Sequence, residues 1–526
     1  MSAAGGSLIS DRFPIDVAAS VIADISAGIY RTPAGALKEL ISNAFDADAR
    51  TVRVSTSGPH FTTFTCSDDG SGLTPDRFRE IMGLIGGSTK RDAGDVSPIL
   101  NRPLIGRIGI GILSVGQICR SFEVYSSARG SDKKFRARID LEPYMLPEAR
   151  RVQLGKRLRP DEKVKVGECE IEIAEEEPDK HYTRVVMEKI IPGFQQQLRS
   201  QPMVRLGVTP KTFKKGDMKA YLASVCKDTV AEHGAYAQLI WELACTAPIK
   251  YLPDGPVRHS VSLDDLRKRM DGYEFRLFLD GVELFKPILL PNPTNANHKL
   301  YPELNVEKVL SDSRNLRVRG YLYWQNVRIL PRELQGVLVR VRNVGVGSFD
   351  STYLGYPKHE GWKFSQLCGE LYVDSGLDEA INIDRSSFRE TDEAYLALQE
   401  FLFQRLGKET DQGSGIFTSI KSTTRELTRK KRAREQSARR RRSAEVIFGE
   451  AKEVELQELD EVLPAGVKVT ARTVSVEKDL VRIVPERHRE LFIGVCGVVD
   501  KFFASSISVE KRRKLVERLA RLFAAQ

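Results

Sequence analysis

The sequence lacks the short motifs that identify several common classes of protein. Its seven cysteines include no CxxC pair, which argues against a zinc site or a disulfide framework and favours reduced thiols inside a cell. Neither HExxH nor GxxxxGKS/T occurs, so a zinc metalloprotease and a P-loop are disfavoured. The longest uncharged apolar run, Leu491 to Val499, is too short to cross a bilayer, and the N-terminal residues carry no secretory signal. We therefore expect a cytoplasmic protein with no membrane contact.

The composition is that of a globular protein whose positive charge is concentrated in one place. With 526 residues, of which 41% are hydrophobic and 29% charged, the chain is long enough for about three domains. The net charge is +10, yet Lys421 to Arg442 alone holds eleven Lys or Arg and two Glu. Residues 445–461 hold seven acidic residues and one lysine. We call these two segments the basic tract and the acidic tract.

The basic tract has two interpretations. It can contact DNA or another acidic partner, with its cations on the phosphates. It can instead fold back on the acidic tract as a charged helical, coiled-coil-like hairpin. The tract contains no aromatic residue on which a base can stack, so it gives no support for sequence-specific recognition.

The most informative stretch is an amphipathic helix predicted over residues 38–49. It puts Glu39, Asn43 and Asp46 at i, i+4 and i+7 on one face, while apolar residues fill the opposite side. A carboxylate, an amide and a second carboxylate in one row suit a magnesium-bound polyphosphate and an attacking water. A polar stripe that merely faces solvent is the alternative.

A second motif follows a strand predicted at residues 61–65. The chain there reads Asp68-Asp69-Gly70-Ser71-Gly72. Two glycines spaced by one residue let the backbone approach a flat ligand closely. The carboxylate of Asp68 at the strand end can accept a hydrogen bond from an exocyclic amine such as that of adenine. A tight turn with an Asx cap is the other interpretation.

A third motif lies beyond a loop at residues 86–105 that is rich in Gly, Asp, Ser and Pro, which predicts a mobile flap. Lys90, near the start of this loop, has two interpretations. Its ammonium group can reach phosphate oxygens, or it can be an exposed loop charge without a ligand. The flap ends at Gly106-Arg107-Ile108-Gly109-Ile110-Gly111. This glycine-rich turn feeds an apolar helix and offers backbone N–H groups to phosphate, although close helix packing also explains it.

Hydrophobic periodicity predicts an α+β organisation for the first part of the chain. Residues 13–49 indicate two helices, the first with an apolar stripe of Ile15, Val17, Val21, Ile22 and Ile25. Strands are predicted at 52–54, 61–65, 121–126, 134–140, 168–173 and 182–188, with a helix at 76–85 and a mainly helical stretch at 195–247.

The remaining residues predict a second mixed region and a helical end. Asp280-Gly281 is a hairpin signal. Strands are predicted at 315–324, 336–343 and 369–374, and helices at 391–406, 416–461, 486–503 and 509–524. We therefore predict four domains or segments: 13–252, 253–410, 416–461 and 466–526.

The order and spacing of the three motifs resemble those of the GHKL superfamily, the Bergerat-fold ATPases. Its members include heat-shock chaperones, type II topoisomerase subunits, MutL-type repair proteins, Microrchidia proteins and histidine kinases. The resemblance covers residues 15 to 190 approximately. It implies a Bergerat two-layer α/β sandwich, followed by a transducer-like α/β domain and a helical C-terminal region.

The resemblance also implies roles for particular residues. Glu39 is expected to be the general base, Asn43 the magnesium ligand, and Asp46 a contact near the nucleotide. Asp68 is expected to take the adenine amine. The other ATP-binding residues that it implies are Gly70, Gly72, Ser88, Lys90, Gly106, Gly109, Gly111 and Thr183. Tyr182 stands where the family has a glycine before this threonine.

In the chaperone, topoisomerase and MutL branches a transducer domain donates a lysine or arginine to the terminal phosphate. Arg385, in the sequence Asn382-Ile383-Asp384-Arg385, is the candidate here, and a surface Asp–Arg pair is the alternative. The resemblance thus implies hydrolysis of ATP with Mg²⁺, flap closure and an ATP-dependent homodimer. A DNA-associated switch of the repair or defence type is the leading expectation. A chaperone-like remodelling ATPase and a non-hydrolysing ATP-sensing scaffold are the alternatives.

Overall fold

The computed structural model forms two compact units, Met1–Phe417 and Thr418–Gln526. It describes residues 9–18, 33–83, 96–106, 111–141, 163–200, 202–204, 207–227, 229–253, 268, 272–287, 297–301, 304–382, 385–407, 415–448, 478–503 and 508–525. No helix in these ranges is long and apolar enough to span a membrane.

The first unit contains a nine-stranded sheet. Its strands are β1 (Ile9–Ala18), β2 (Thr51–Ser55), β3 (Phe64–Asp68), β4 (Cys119–Ser127), β5 (Lys133–Asp140), β6 (Lys163–Glu175), β7 (Tyr182–Ile190), β8 (Arg276–Leu279) and β9 (Val282–Leu284). They lie in the order β1-β6-β5-β4-β7-β3-β2-β8-β9. All neighbours are antiparallel except β2 and β8, which run parallel. The centre of this sheet, β3 and β7, carries the second sequence motif.

Helices accompany this sheet and share its core. They are α1 (Pro33–Asp46), α2 (Pro75–Gly83), a 3₁₀ helix (Gly111–Gln117), α3 (Pro192–Arg199), α4 (Pro210–Phe213), α5 (Met218–Val225) and α6 (Ala235–Thr246). Leu37, Ile41 and Phe45 of α1 are fully buried in a cluster that also contains strand residues such as Val52. Because they lie on the face opposite Glu39 and Asn43, their burial turns the polar row of α1 away from the core.

A second sheet follows in the same unit. Its strands are β10 (His298–Tyr301), β11 (Val306–Val309), β12 (Asn315–Gln325), β13 (Gly336–Val341), β14 (Val344–Gly345) and β15 (Leu367–Ser375). They lie in the order β10-β12-β15-β13-β14, with β11 also paired to β12. The later helices are α7 (Glu393–Gly407), α8 (Ile416–Phe448), α9 (Lys478–Arg482), α10 (Glu486–Phe503) and α11 (Val509–Ala524).

The mixed α/β fold class predicted from the sequence is confirmed, and so are most elements. The Asp280-Gly281 hairpin joins β8 to β9 with both residues at positive φ, 49° and 91°, as a tight two-residue turn requires. However, β8 and β9 complete the first sheet although they lie within residues 253–410. The domain ranges stay predictions, and residues 449–477, which include most of the acidic tract, lie outside the described part.

The prediction of a helix that begins at residue 13 is wrong for residues 13–18. Residues 9–18 form β1, which pairs antiparallel with β6 from Ile9 opposite Ile173 to Ala18 opposite Lys163. Phe13, Ile15 and Val17 alternate with other residues, which is the period of a strand. The later members of the supposed stripe lie in residues 19–32, outside the described part. A short segment with few apolar positions fits both the helical and the strand period. Pairing with β6 therefore determined that this segment is a strand.

The second sheet is built on a buried charged network. Arg340 and Glu370 form an ion pair, and their side chains are 1% and 2% exposed. Arg340 also donates to the carbonyl oxygen of Cys245 at 2.5 Å. The hydroxyls of Tyr251 and Tyr321 donate to Glu370 at 2.5 and 2.6 Å. The network therefore connects the end of α6 and the following chain to β12, β13 and β15.

We predict that Glu370→Ala destabilises the first unit by about 3–5 kcal/mol, because it leaves the guanidinium of Arg340 buried without its counter-charge. Urea unfolding followed by tryptophan fluorescence measures this. The matched control is Glu307→Ala, which breaks the exposed Arg317–Glu307 pair and is expected to leave the unfolding midpoint unchanged. Equal, small shifts in both variants would contradict the prediction.

Candidate nucleotide-binding site

Glu39 lies on the polar side of α1 and is almost completely buried, with 5% of its surface exposed. Its Oε1 atom has no hydrogen-bond partner among the described residues. Arg385 forms an ion pair with this oxygen, and its Nε atom lies 3.4 Å from it. A buried carboxylate oxygen without a donor is energetically unfavourable, and such atoms mark places where a ligand or water is expected.

Arg385 reaches this position from the chain that follows the second sheet. Its guanidinium also donates to the carbonyl oxygen of Ile105 at 3.0 Å, and its side chain is 13% exposed. Its backbone has φ of 47°, which is uncommon for a residue other than glycine. The arginine predicted from the sequence therefore lies beside the predicted base.

Lys38, the neighbour of Glu39 in α1, was missed by the sequence reasoning. It is buried, and its ammonium donates to the carbonyl oxygens of Gly345 at 2.7 Å and Arg385 at 3.1 Å. It thus connects α1 to the last residue of β14 and to the backbone of Arg385. The feature of the sequence that could have indicated this role is a lysine among the apolar, core-facing positions of an amphipathic helix. A lysine that is buried there needs hydrogen-bond acceptors.

Asp46, the third residue of the polar row, binds the protein backbone. Its two carboxylate oxygens accept hydrogen bonds from the N–H groups of Ile105 and Gly106, each at 2.7 Å. Asp46 therefore holds the first glycine of the third motif against the end of α1. Of the remaining motif residues, Gly111 begins the 3₁₀ helix, whereas Gly109 lies outside the described part.

Two further side chains hold the segment that leads into this turn, and neither was predicted. Asp48 accepts hydrogen bonds from the N–H groups of Ile99 and Leu100 at 2.9 and 3.1 Å. Arg102 donates to the carbonyl oxygen of Ala49 at 2.6 Å. Burial lowers the pKa of Arg102, and its guanidinium lies over the ring of Phe45, 4.7 Å from the centroid.

The described end of the predicted flap is therefore fixed to α1 by its backbone and by Arg102. Ser88 and Lys90, the two flap residues expected at the nucleotide, lie outside the described part.

The second motif lies at the centre of the sheet. The antiparallel register of β3 and β7 puts Asp68 directly opposite Thr183. Asp68 Oδ1 accepts a hydrogen bond from the N–H of Gly70 at 2.9 Å. Burial, with a smaller contribution from the charge of Asp69, raises the pKa of Asp68 to about 7, against the effect of the Gly70 N–H. The structure thus brings together Asp68 and Thr183, the two residues that the resemblance assigns to the adenine site.

The glycines of this motif are required by the space around them. Gly72 has φ of +69°, and a Cβ atom there would lie 1.8 Å from the carbonyl oxygen of Ser127. At Gly70 a Cβ atom would lie 2.8 Å from the carbonyl oxygen of Ala47. Ser71 between them donates to the same oxygen from its N–H, at 2.7 Å. The loop therefore packs directly on the end of α1, which joins the first and second motifs.

Tyr182 stands in place of the family's glycine and directly precedes Thr183 on β7. The hydroxyl of Ser126 on β4 donates to the carbonyl oxygen of Tyr182 at 2.7 Å and lies 3.2 Å from the hydroxyl of Thr183. The N–H of Leu73 in turn donates to Ser126 at 2.9 Å. Ser126 therefore links the strand threonine to the glycine loop, and no motif in the sequence points to this serine.

Comparison with known proteins supports the same region. Residues 30–153 match the family described as Histidine kinase-, DNA gyrase B-, and HSP90-like ATPase. A DNA mismatch repair protein MutL from Caulobacter vibrioides is 32% identical over 113 residues, which is 21% of this chain and 18% of the relative. A DNA mismatch repair protein MutL from Rhizorhabdus wittichii is 33% identical over 109 residues, 20% of this chain and 18% of the relative.

The matched segment spans less than a fifth of these curated relatives, so the similarity concerns one domain. That domain contains the polar row of α1, the Asp68 loop and the glycine-rich turn, held together by the contacts of Asp46 and Ser71. Residues 30–153 of this chain therefore contain an ATPase-type domain that is similar to those of the GHKL superfamily.

Proposed function

We propose that this chain binds ATP and hydrolyses it, with Glu39 as the general base. The observation that carries this proposal is the buried Oε1 atom of Glu39, which has no hydrogen-bond partner among the described residues. A carboxylate in that state can accept a hydrogen bond from water and orient it for attack on a phosphate. Asn43 follows one helical turn later on the same side of α1.

The donor set fits a magnesium ion that is held mainly by phosphate oxygens. Within the described ranges there is no group of three or more His, Cys, Asp or Glu residues that forms a metal cage. Mg²⁺ keeps several waters and takes one or two protein ligands beside substrate phosphates, so a single amide oxygen from Asn43 suffices. When bound, the ion neutralises charge that develops on the phosphates.

Arg385 is assigned in this proposal to the terminal phosphate. It lies 3.4 Å from the carboxylate of Glu39, so it is already beside the group that orients the water. Its guanidinium has several donors and can keep a contact with Glu39 while it binds a phosphate oxygen. The adenine amine is assigned to Asp68, with Thr183 beside it and with Gly70 and Gly72 shaping the pocket.

The wider function that we propose is a DNA-associated switch. ATP closes the flap and brings two ATPase domains together, and hydrolysis resets them. Two observations support DNA as the partner. The relatives are DNA mismatch repair proteins by name. The basic tract lies on helix α8, where the cationic residues from Lys421 to Arg434 are exposed. Their intrahelical pairs, such as Lys430 with Glu426, neutralise only a minority of them.

We expect Glu39→Ala to abolish ATP hydrolysis while ATP binding is retained, because the base is removed and the adenine and phosphate contacts stay. Steady-state turnover and nucleotide binding measure the two effects, and light scattering is expected to find the variant trapped as an ATP-bound dimer. The control is Glu80→Ala on α2, an exposed carboxylate paired with Arg77. Undiminished turnover in Glu39→Ala would show that Glu39 is not the general base. ATP binding without turnover in the wild-type protein would instead favour the non-hydrolysing sensing scaffold.

The raised pKa of Asp68 predicts a pH dependence of stability. Between its ordinary value of 3.8 and about 7, the folded carboxyl keeps a proton that the unfolded one has lost. The folded state therefore binds more protons, and stability falls as the pH rises through this window. Asp68→Asn is expected to remove this slope in thermal unfolding between pH 5 and 8. Asp132→Asn, an exposed aspartate, serves as the control and is expected to keep the slope.

DNA binding is expected to be strongly weakened on replacing Lys430, Lys431, Arg432 and Arg434 by glutamine. Removing four phosphate contacts makes the slope of log K against log salt concentration less negative by about 3 to 4, and glutamine preserves the helix. Fluorescence anisotropy at several salt concentrations measures both. The matched control replaces the exposed residues Lys511, Arg513, Lys514 and Arg518 of α11. Binding that does not depend on the salt concentration, or equal losses of affinity in both variants, would contradict the role of the tract.

Suppression of client aggregation without DNA binding would favour the chaperone-like alternative.

A further inference from the structure

An open cleft of about 350 Å³ lies where the second sheet meets the base of the flap. Pro103 and Tyr273 line it from the side of the first sheet, and residues of β12, β15 and the β13–β14 turn line it from the other. Its volume is at the lower end of the range for small-molecule sites. None of the residues assigned above to ATP is among those that line it.

Cationic side chains outnumber carboxylates in the lining of this cleft, which contains Arg317, Arg319, Arg342 and Asp374. Arg317 and Arg319 stand two positions apart on β12 and therefore project from the same face of the strand. Their side chains are 51% and 41% exposed, which leaves them accessible to a solute.

The hydrogen-bonding capacity of these two arginines is only partly used. Arg317 donates from one terminal nitrogen to Glu307 at 2.6 Å. Arg319 donates from Nε and one terminal nitrogen to the same oxygen of Asp374, at 3.0 and 2.8 Å. A guanidinium has five N–H groups. The other N–H groups of both residues have no protein acceptor in the described part of the chain, and a tetrahedral anion can accept several of them.

The third arginine connects the cleft to the flap. Arg342 is 11% exposed, pairs with Asp378 through Nε at 3.0 Å, and donates to the carbonyl oxygen of Leu104. The two residues after Leu104 are those whose N–H groups bind Asp46. An anion drawn towards Arg342 therefore acts on the same short segment that fixes the glycine-rich turn on α1.

From this arrangement we infer that the cleft is a binding site for a small phosphate-bearing anion, distinct from the proposed ATP site, and that its occupancy stabilises the base of the flap. Recognition rests on the free N–H groups of Arg317 and Arg319, with Arg342 as the inner cation. The anion takes the place of water around the exposed guanidiniums, which is why the resting ion pairs need not break.

Hydrogen exchange with mass spectrometry on the full chain tests this inference, with inorganic pyrophosphate as the probe and without nucleotide. Pyrophosphate is expected to slow exchange in two segments, residues 315–319 and 99–106. Calorimetric titration gives its affinity. The double variant Arg317→Ala/Arg319→Ala is expected to weaken binding at least about tenfold, since two charge-assisted contacts are lost. It is also expected to remove the protection at 99–106.

Matched variants distinguish this site from the ATP site. Arg276→Ala removes an arginine of similar exposure that is paired on β8–β9, and it is expected to bind pyrophosphate as the wild type does. Asn43→Ala is expected to keep the binding too. Binding lost in Asn43→Ala but kept in the double variant would put pyrophosphate in the ATP site and overturn the inference. Absence of pyrophosphate binding, or binding only of a single-stranded oligonucleotide, would also overturn it. None of these outcomes depends on ATP turnover.

Discussion

Two aspartates at the C-terminal end of α1 hold the backbone of residues 99–106, and the geometry of the proposed nucleotide site depends on these contacts. Asp46 ends the helix and Asp48 follows it, although a negative charge is unfavourable near a helix C-terminus. The last turn of α1 contains no basic residue to offset them. Four backbone N–H groups do so instead, through charge-assisted hydrogen bonds of 2.7–3.1 Å. The two aspartates are unfavourable for the helix itself, but their hydrogen bonds fix the position at which the glycine-rich turn begins.

The other end of the polar row is controlled by a part of the chain more than 300 residues away. Lys38 holds the backbone of Arg385, and the Arg385 side chain lies beside Glu39 and donates to Ile105. A movement of this segment therefore changes the surroundings of the proposed base and of the flap together. This contact gives a physical route by which the state of the second sheet can affect the hydrolysis that we propose, as the proposed switch requires.

The Arg340–Glu370 network makes the second sheet, through which this effect would be transmitted, rigid. Two tyrosine hydroxyls and a backbone carbonyl complete the hydrogen bonds of a pair that is almost fully buried. A pair satisfied in this way is costly to break, so the second sheet is expected to move as one body. The turn that follows β13 carries Arg342, which reaches Leu104 at the base of the flap. The proposed anion cleft lies directly on this connection.

The sequence by itself determined the elements whose cause is local. The Asp280-Gly281 turn, the strands with alternating apolar residues and the amphipathic α1 follow from short-range periodicity and backbone preferences. The polar row of Glu39, Asn43 and Asp46 also follows, because helical spacing alone puts these residues on one side. Residues 13–18 show the limit, since their few apolar positions fit two periods.

Only the tertiary structure decided which partner each polar side chain has. The contact between Lys38 and Arg385 spans 347 positions, and no pattern in the neighbourhood of either residue predicts it. Asp46, for which the resemblance implies a contact near the nucleotide, binds the backbone 59 and 60 residues further along. The register of β3 on β7 set Asp68 opposite Thr183. Local sequence fixes backbone geometry, whereas buried charges find their partners through packing of distant segments, because each must be satisfied once water is excluded.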